Sequence, residues 1–349
     1  MWLNKFILVF IFVSLSCLLF ANSNEEKDNE FNTVEFIFEH VNDSHEWHFF
    51  SVGDKHFSIP LPVIIYSKTS GWHFFLSSKF HHTNENFPFE IAKGGNNDGK
   101  IIEKAADGTI TLPLDLSITK TILGTLIAVT LLMIFILKGS KQTIKSPLRA
   151  PKGIQNIIEL LVLFVRDELA KPFAGKEYNR FMPLLLSLFF FILISNLIGL
   201  IIPLGFNITG NIAVTLVLAL FTFVVTTING TKHYWLHIVN PEVPWFMKFP
   251  LPLIPFIEFI GIFIKPIVLM IRLFANMFAG HMIIAVLITL IFLMSTIFNP
   301  AVGFVTSVIS VTFSLFMLFV DVLVSFIQAY IFTLLSAMYF GMATEKGEH

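Results

Sequence analysis

Hydrophobic residues in this chain come in runs too long for the core of a soluble domain. Apolar segments occupy residues 118–137, 181–203 and 209–228. Two longer ones follow, 251–298 and 301–340, separated by Asn299-Pro300. A helix crosses the ~30 Å hydrocarbon core of a bilayer with about 20 residues, so the first three runs are single spans and the last two are roughly double length. Helices of that length must incline steeply, break or lie partly along the membrane. Pro203, Gly205 and Gly210 mark a short turn between the second and third spans, and Asn299-Pro300 the turn of a closing hairpin. The pattern predicts an all-α integral membrane protein of about five transmembrane helices, the last two forming a long, strongly tilted hairpin.

The front of the chain reads differently. Lys5, the apolar run Phe6 to Phe20 and the small-x-small sequence Ala21-Asn22-Ser23 make residues 1–23 a secretory signal. Residues 24–115 are polar, with a turn cluster at 94–99 and alternating stretches at Val34–Glu39 and Phe57–Tyr66 that predict a few strands. The expected division is therefore a signal at 1–23, a polar extracytoplasmic segment at 24–115 and a membrane domain at 116–349. Residues 138–180 are the richest in Lys and Arg between spans, which makes that loop cytoplasmic. The extension is then periplasmic and the C-terminus cytoplasmic, in a bacterial inner membrane. Within that loop Ile154, Ile157, Ile158, Leu161 and Val165 recur at helical spacing and predict an amphipathic helix, lying on the inner surface or against a partner.

Composition sharpens this picture and closes off other classes. The chain is 55% hydrophobic and only 13% charged, with a mean hydropathy of +0.76, which a soluble fold of 349 residues could not bury. The net charge is −1 and no basic run is present, so no nucleic-acid partner is expected. The one cysteine, Cys17, lies in the signal, leaving neither disulfides nor thiolate ligands in the mature chain. Histidines are frequent in the extension, but His45 and His48 stand three apart rather than at the four-residue helical spacing of zinc proteases, and no metal site is expected.

Charges inside the apolar runs are the candidates for function. Arg272 leads them, since residues 273–320 contain no Asp, Glu, Lys or Arg. A guanidinium keeps its proton at any physiological pH, and one at bilayer depth costs at least about 2.5–3.5 kcal/mol on insertion scales. Glu258, Lys265 and Arg272 stand at seven-residue intervals and so fall within about 40° of one helix face, with Asn276 one turn further along it. His281, nine residues past Arg272, points about 180° away and ~13 Å along the axis. In the last run Ser314, Asp321, Ser325 and Gln328 form one polar stripe. Asp321 must be solvated, paired or protonated in lipid, and His281 is its natural partner across the hairpin. Both are proton carriers. Lys265 reads more simply as a side chain that snorkels to the inner interface.

These residues resemble subunit a of the F-type ATP synthases, the stator beside a rotating ring of c-subunits. The resemblance is carried by Lys265-Pro266, by the run from Arg272 through Asn276 to Gly280-His281, by Gln328-Ala329-Tyr330-Ile331-Phe332, and by Ser195 to Leu200 with Asn211. It covers roughly residues 118–345. It implies that Arg272 is the essential stator arginine and that Gln328 is the glutamine neighbouring it. His281 and Asp321 would be an acid–histidine pair with its members exchanged relative to some relatives, and Glu258 the inner-side acid. The implied activity is proton conduction through two half-channels, an outer one through Asn276, His281, Asp321 and Gln328 and an inner one near Glu258, coupled to c-ring rotation and ATP synthesis. It implies a subunit that is not catalytic by itself, needs no cofactor, and has as partners the c-ring, the peripheral-stalk b subunits, the remaining synthase subunits and the bilayer. The polar extension exceeds the common form of the family, and its removal is expected to spare conduction. An ion-coupled secondary transporter is the alternative, but it should show inverted repeats, and the sequence has no internal symmetry. An intramembrane hydrolase would need a nucleophile–base or metal set, and none is evident.

Overall fold

The computed structural model describes residues 43–52, 55–80, 87–92, 99–104, 110–145, 153–201, 206–239 and 253–345. The signal at 1–23 and the strand expected at Val34–Glu39 lie outside the described residues.

The N-terminal region is built from strands. β1 (Glu46–Val52) pairs antiparallel with β2 (Lys55–Pro60). β3 (Pro62–Ser67) lies between β4 (Gly71–Leu76) and β8 (Leu114–Asp115), antiparallel to both. A third sheet joins β5 (Phe89–Ile91), β6 (Ile101–Lys104) and β7 (Ile110–Thr111) in that order. Alternation in β3 decides what is buried: Val63 and Ile65 point inward against Phe89 and Ile101, while Pro62 and Tyr66 point out. Glu103 is little exposed (6%) and accepts hydrogen bonds from the hydroxyls of Ser67, Thr69, Ser70 and Thr111 at 2.5–3.2 Å, tying two sheets together.

The strands are fastened to the first span. β8 continues its ladder beyond Asp115, with Leu116 N donating to Ile64 O at 2.9 Å and Ile118 N to Pro62 O at 3.1 Å. Helix α1 (Lys120–Lys145) then starts, its free N-terminal amides held by Asp43 Oδ1 on Thr121 N (3.0 Å) and Ser44 O on Lys120 N (2.9 Å). His45 Nε2 meets Asp115 Oδ2 at 2.8 Å. Trp47 packs on Phe206 with ring centroids 4.8 Å apart.

The rest is helical. The expected amphipathic segment is α2 (Ile154–Phe164), and the helical path does not stop at its end. It runs on through a π-helical stretch, Val165–Ala170, a short turn at Lys171–Ala174 and a 3-10 turn at Gly175–Glu177 into α3 (Tyr178–Gly199). α4 (Ile212–Ile228) is capped by Asn211, whose Oδ1 accepts from Ala213 N at 2.9 Å. A short α5 (Lys232–Val239) precedes two 45-residue helices, α6 (Leu253–Ile297) and α7 (Pro300–Thr344). At 1.5 Å per residue each is ~68 Å long, about twice the hydrocarbon thickness. Among the described residues four helical stretches are long and apolar enough to cross a membrane, and α4 is a shorter apolar helix. These agree with the five expected spans.

The described chain forms two compact units. One is the turn end of the hairpin, Ile283–Met317, where Asn299 Oδ1 caps α7 at Val302 N (3.0 Å). Gly303 gives room there for Ser295, since a Cβ in its place would stand 2.6 Å from the serine Cβ. The other unit contains the strands, α1 to α5 and the remaining parts of α6 and α7. Its core is formed by Leu185, Phe189 and Ile192 of α3, Leu269 and Leu273 of α6, and Phe332 and Phe340 of α7. Val165, Leu169 and Ala174 also belong to this core, and Phe181 stacks on Phe340 at 4.8 Å. The segment after α2 is thus packed against the end of α7.

Candidate functional site

Among the described residues of α6 the buried positions are Ile262, Leu269, Leu273, Met277, Gly280 and Thr289, the first five forming a stripe at helical spacing that faces the core. Arg272 lies at the edge of that stripe and is partly exposed; Asn276, one turn on, is exposed. Among the described residues no carboxylate comes within salt-bridge distance of Arg272, although its charge reaches Tyr339. Both polar side chains therefore stand at a surface that the described residues leave at least partly uncovered.

Asp321 lies across the hairpin from Gly280. A Cβ at Gly280 would be 2.8 and 2.9 Å from the two carboxylate oxygens, so only glycine lets the acid approach the α6 backbone. Asp321 is 7% exposed, and Gln328, two turns along α7, is 4% exposed. The backbone carbonyl of Asp321 accepts from Ser325 Oγ at 2.7 Å. That of Ser325 faces Asn196 Nδ2 at 3.5 Å, and Asn196 Oδ1 accepts from Thr209 Oγ1 at 2.6 Å. These bonds continue the polar line from α7 through α3 to the segment before α4.

His281 does not bond to Asp321. Successive residues on a helix point 100° apart. With Gly280 turned to Asp321, His281 turns toward α3, where its Nε2 lies 3.4 Å from the position a Cβ of Gly199 would take. That nitrogen is buried and has no hydrogen-bond partner among the described residues; the same is true of Ser195 Oγ and of both side-chain polar atoms of Asn207. Buried orphan groups in one neighbourhood are the usual lodging of bound water. One polar cluster thus includes Asp321, His281, Ser195, Asn196, Asn207 and Thr209.

A second cluster lies on the other side of Arg272. Lys265 Nζ sits 5.7 Å from the centroid of the Tyr339 ring. Beside it is a cavity of about 20 Å³, room for one water, lined by Thr222, Thr226, Tyr234, Lys265 and Tyr339 among others. Glu258 is partly buried. Burial and then the Glu258 charge push the Tyr234 phenol above its ordinary pKa. Lys265 is therefore turned to a ring and a cavity, beyond the simple snorkel expected of it.

The sequence model of the ATP synthase A chain matches residues 122–341, and a domain of unknown function (DUF8433) matches residues 36–119. The chain belongs to the ATP synthase A chain family. The family region contains all six candidate residues. ATP synthase subunit a of Chlorobium phaeobacteroides is 42% identical over 256 residues, 69% of this chain and 71% of the relative. That of Chloroherpeton thalassium is 40% identical, covering 72% and 76%, and that of Myxococcus xanthus is 41% identical, covering 68% and 76%. Sequence reading picked out Asn196 and Ser195 only through the family resemblance. Gly280 likewise entered only as part of that resemblance, and Asn207 and Thr209 gave no signal, because small or neutral residues break no hydropathy rule.

Proposed function

We propose that the chain is the proton-translocating membrane subunit of an ATP synthase, conducting protons along two half-paths separated by Arg272. The observation that carries this reading is the position of Arg272. It has no carboxylate partner among the described residues, and it stands ~10 Å along α6 from Lys265 and ~13 Å from His281, between two polar clusters. An arginine held open in this way fits a partner on another chain. The fitting partner is a carboxylate on a ring of c-subunits passing the exposed faces of α6 and α7.

In this mechanism a proton enters by way of Asn207, Thr209 and Asn196, reaches His281 and Asp321, and passes with Asn276 and Gln328 to the ring acid. The protonated acid crosses lipid at low cost, whereas the ionised acid does not. On return it meets Arg272, whose fixed charge favours ionisation and promotes release toward Glu258. The same charge repels a proton that would leak between the half-paths. The Lys and Arg of residues 138–180 support an orientation in a bacterial inner membrane with that loop, Glu258 and the C-terminus cytoplasmic and the strands periplasmic. Peripheral-stalk b subunits and the other synthase subunits complete the set of partners.

The test is Arg272→Ala in membranes carrying the whole complex. Proton-driven ATP synthesis and ATP-driven pumping should fall to background while the complex assembles, as read on native gels. Synthesis at the unmodified rate would overturn the assignment.

A further inference from the structure

The sheet of β4, β3 and β8 buries one side and leaves the other bare. On the bare side Trp72 is 56% and Phe74 69% exposed, with Leu76, Tyr66, Leu114 and Leu116 also open to solvent. Cross-strand register sets these in rows: Tyr66 opposite Trp72 and Leu114, Ile64 opposite Phe74, Pro62 opposite Leu76. The Tyr66 and Trp72 rings meet at a tilt with centroids 5.0 Å apart, and Trp72 and Phe74 stack at 6.1 Å. No outward position in these rows carries a charge. Exposed apolar patches of this kind mark an interaction surface.

The order of the rows identifies the occupant. The Pro62–Leu76 row is nearest the first span, because Ile118 bonds to Pro62 two residues before α1 begins at Lys120. Next comes Ile64–Phe74, then Tyr66–Trp72 some ~13 Å further out, then the polar turn with exposed Lys68, Thr69 and Ser70. Along β3 and β4 polarity rises from aliphatic through amphipathic aromatic to charged, in the sequence met on leaving a bilayer. A protein interface instead has an apolar centre with a polar rim on all sides. Helix α1, which begins two residues beyond Ile118 at that end, is itself bare at Ile122 and Leu126.

We propose that this side of the sheet rests in the lipid interface of the leaflet where α1 begins, so that the strand-rich region is a membrane-seated module and not a free domain. The proposal is independent of the proton-path reading. It is tested in the full complex in phosphatidylcholine nanodiscs, using a chain with Cys17→Ser and a nitroxide at Phe74→Cys. The same label at Lys68→Cys is the aqueous control, and the signal of the complex without the added cysteine is subtracted. Phe74 is exposed, so the change leaves the fold intact, and Leu116→Cys gives a second reading. The expected result is greater collision with oxygen and less with a water-soluble nickel chelate at positions 74 and 116 than at 68. Chelate access equal to that at 68 would mean a solvated surface. Shielding from both reagents would mean a protein partner or a second copy. Either outcome overturns the proposal.

Discussion

Gly280 has no side chain, and Asp321 occupies the space a side chain would fill. Gly280→Ala puts a methyl 2.8 Å from one carboxylate oxygen and 2.9 Å from the other. Either Asp321 changes rotamer or α6 and α7 separate, at an overpacking cost of about 1–3 kcal/mol. Proton conduction by the assembled complex should fall sharply and its melting temperature should drop. Gly261 on the same helix has no atom within 4 Å of the equivalent position, so Gly261→Ala should leave conduction unchanged, with a helix-propensity gain of up to about 1 kcal/mol. Equal effects at both positions would show that Gly280 matters for helix flexibility and not for seating the acid. This contrast also marks how far the sequence could be read. Arg272, His281 and Asp321 stand out because a charged or titratable group in an apolar run is expensive. Gly280 cost nothing in the same accounting, and neither did Thr209. Their roles follow from which residue faces them, and helical periodicity on one chain segment does not contain that information.

Elements were legible where one period ruled a long stretch. The five apolar runs became helices, and the alternating Phe57–Tyr66 stretch became β2 and β3 with Leu61 at the break. β4 was missed because Trp72, Phe74, Phe75 and Leu76 are apolar on both sides, which removes the alternation that signals a strand. α2 was expected as an amphipathic helix, but its continuation into α3 was not, since Gly175 and the charged residues around it read as a loop. The strand-rich region carries its own pH dependence. Burial opposes ionisation of Glu103, and hydrogen bonds from four hydroxyls outweigh it, holding its carboxyl below the usual range. At Asp115 burial is likewise outweighed by bonds from His45 and Ser117. Carboxylates with lowered pKa stabilise the fold fully above their ordinary pKa of about 4 and lose that contribution as pH falls through the lower folded value. Hydrogen exchange in residues 62–76, corrected for the intrinsic rate, should therefore be unchanged from pH 7 to 5 and accelerate below about pH 4. Glu103→Gln should show faster exchange already at pH 7 and a weaker acid response. An unaltered profile would mean that the Glu103 network contributes nothing to holding the sheets together.

At the scale of the whole molecule, the N-terminal region is joined to the proposed proton path more closely than an accessory would be. Asp43 and Ser44 supply two of the bonds that hold the first turn of α1. Trp47 closes over Phe206, which is fully buried and presses on Gly124 of α1 through its ring and on Gly199 of α3 through its carbonyl. Gly199 is the residue His281 faces, and the residue after Phe206 is Asn207, whose buried amide has no hydrogen-bond partner among the described residues. A deletion of residues 24–110 removes Asp43, Ser44 and Trp47 together. It uncaps α1, at about 1 kcal/mol for a lost capping side chain, and leaves Phe206 facing water. The expectation from sequence, that conduction survives the deletion, is therefore replaced by its opposite. Assembled complexes with the truncated chain should conduct protons poorly in stripped vesicles. Full-length Trp47→Ala should show a smaller loss of the same kind, because it loosens Phe206 while keeping the cap. Conduction at the intact rate by a fully assembled truncated complex would show that the strands only rest on the membrane domain, and that α1 and α3 hold Phe206 and His281 in place without them.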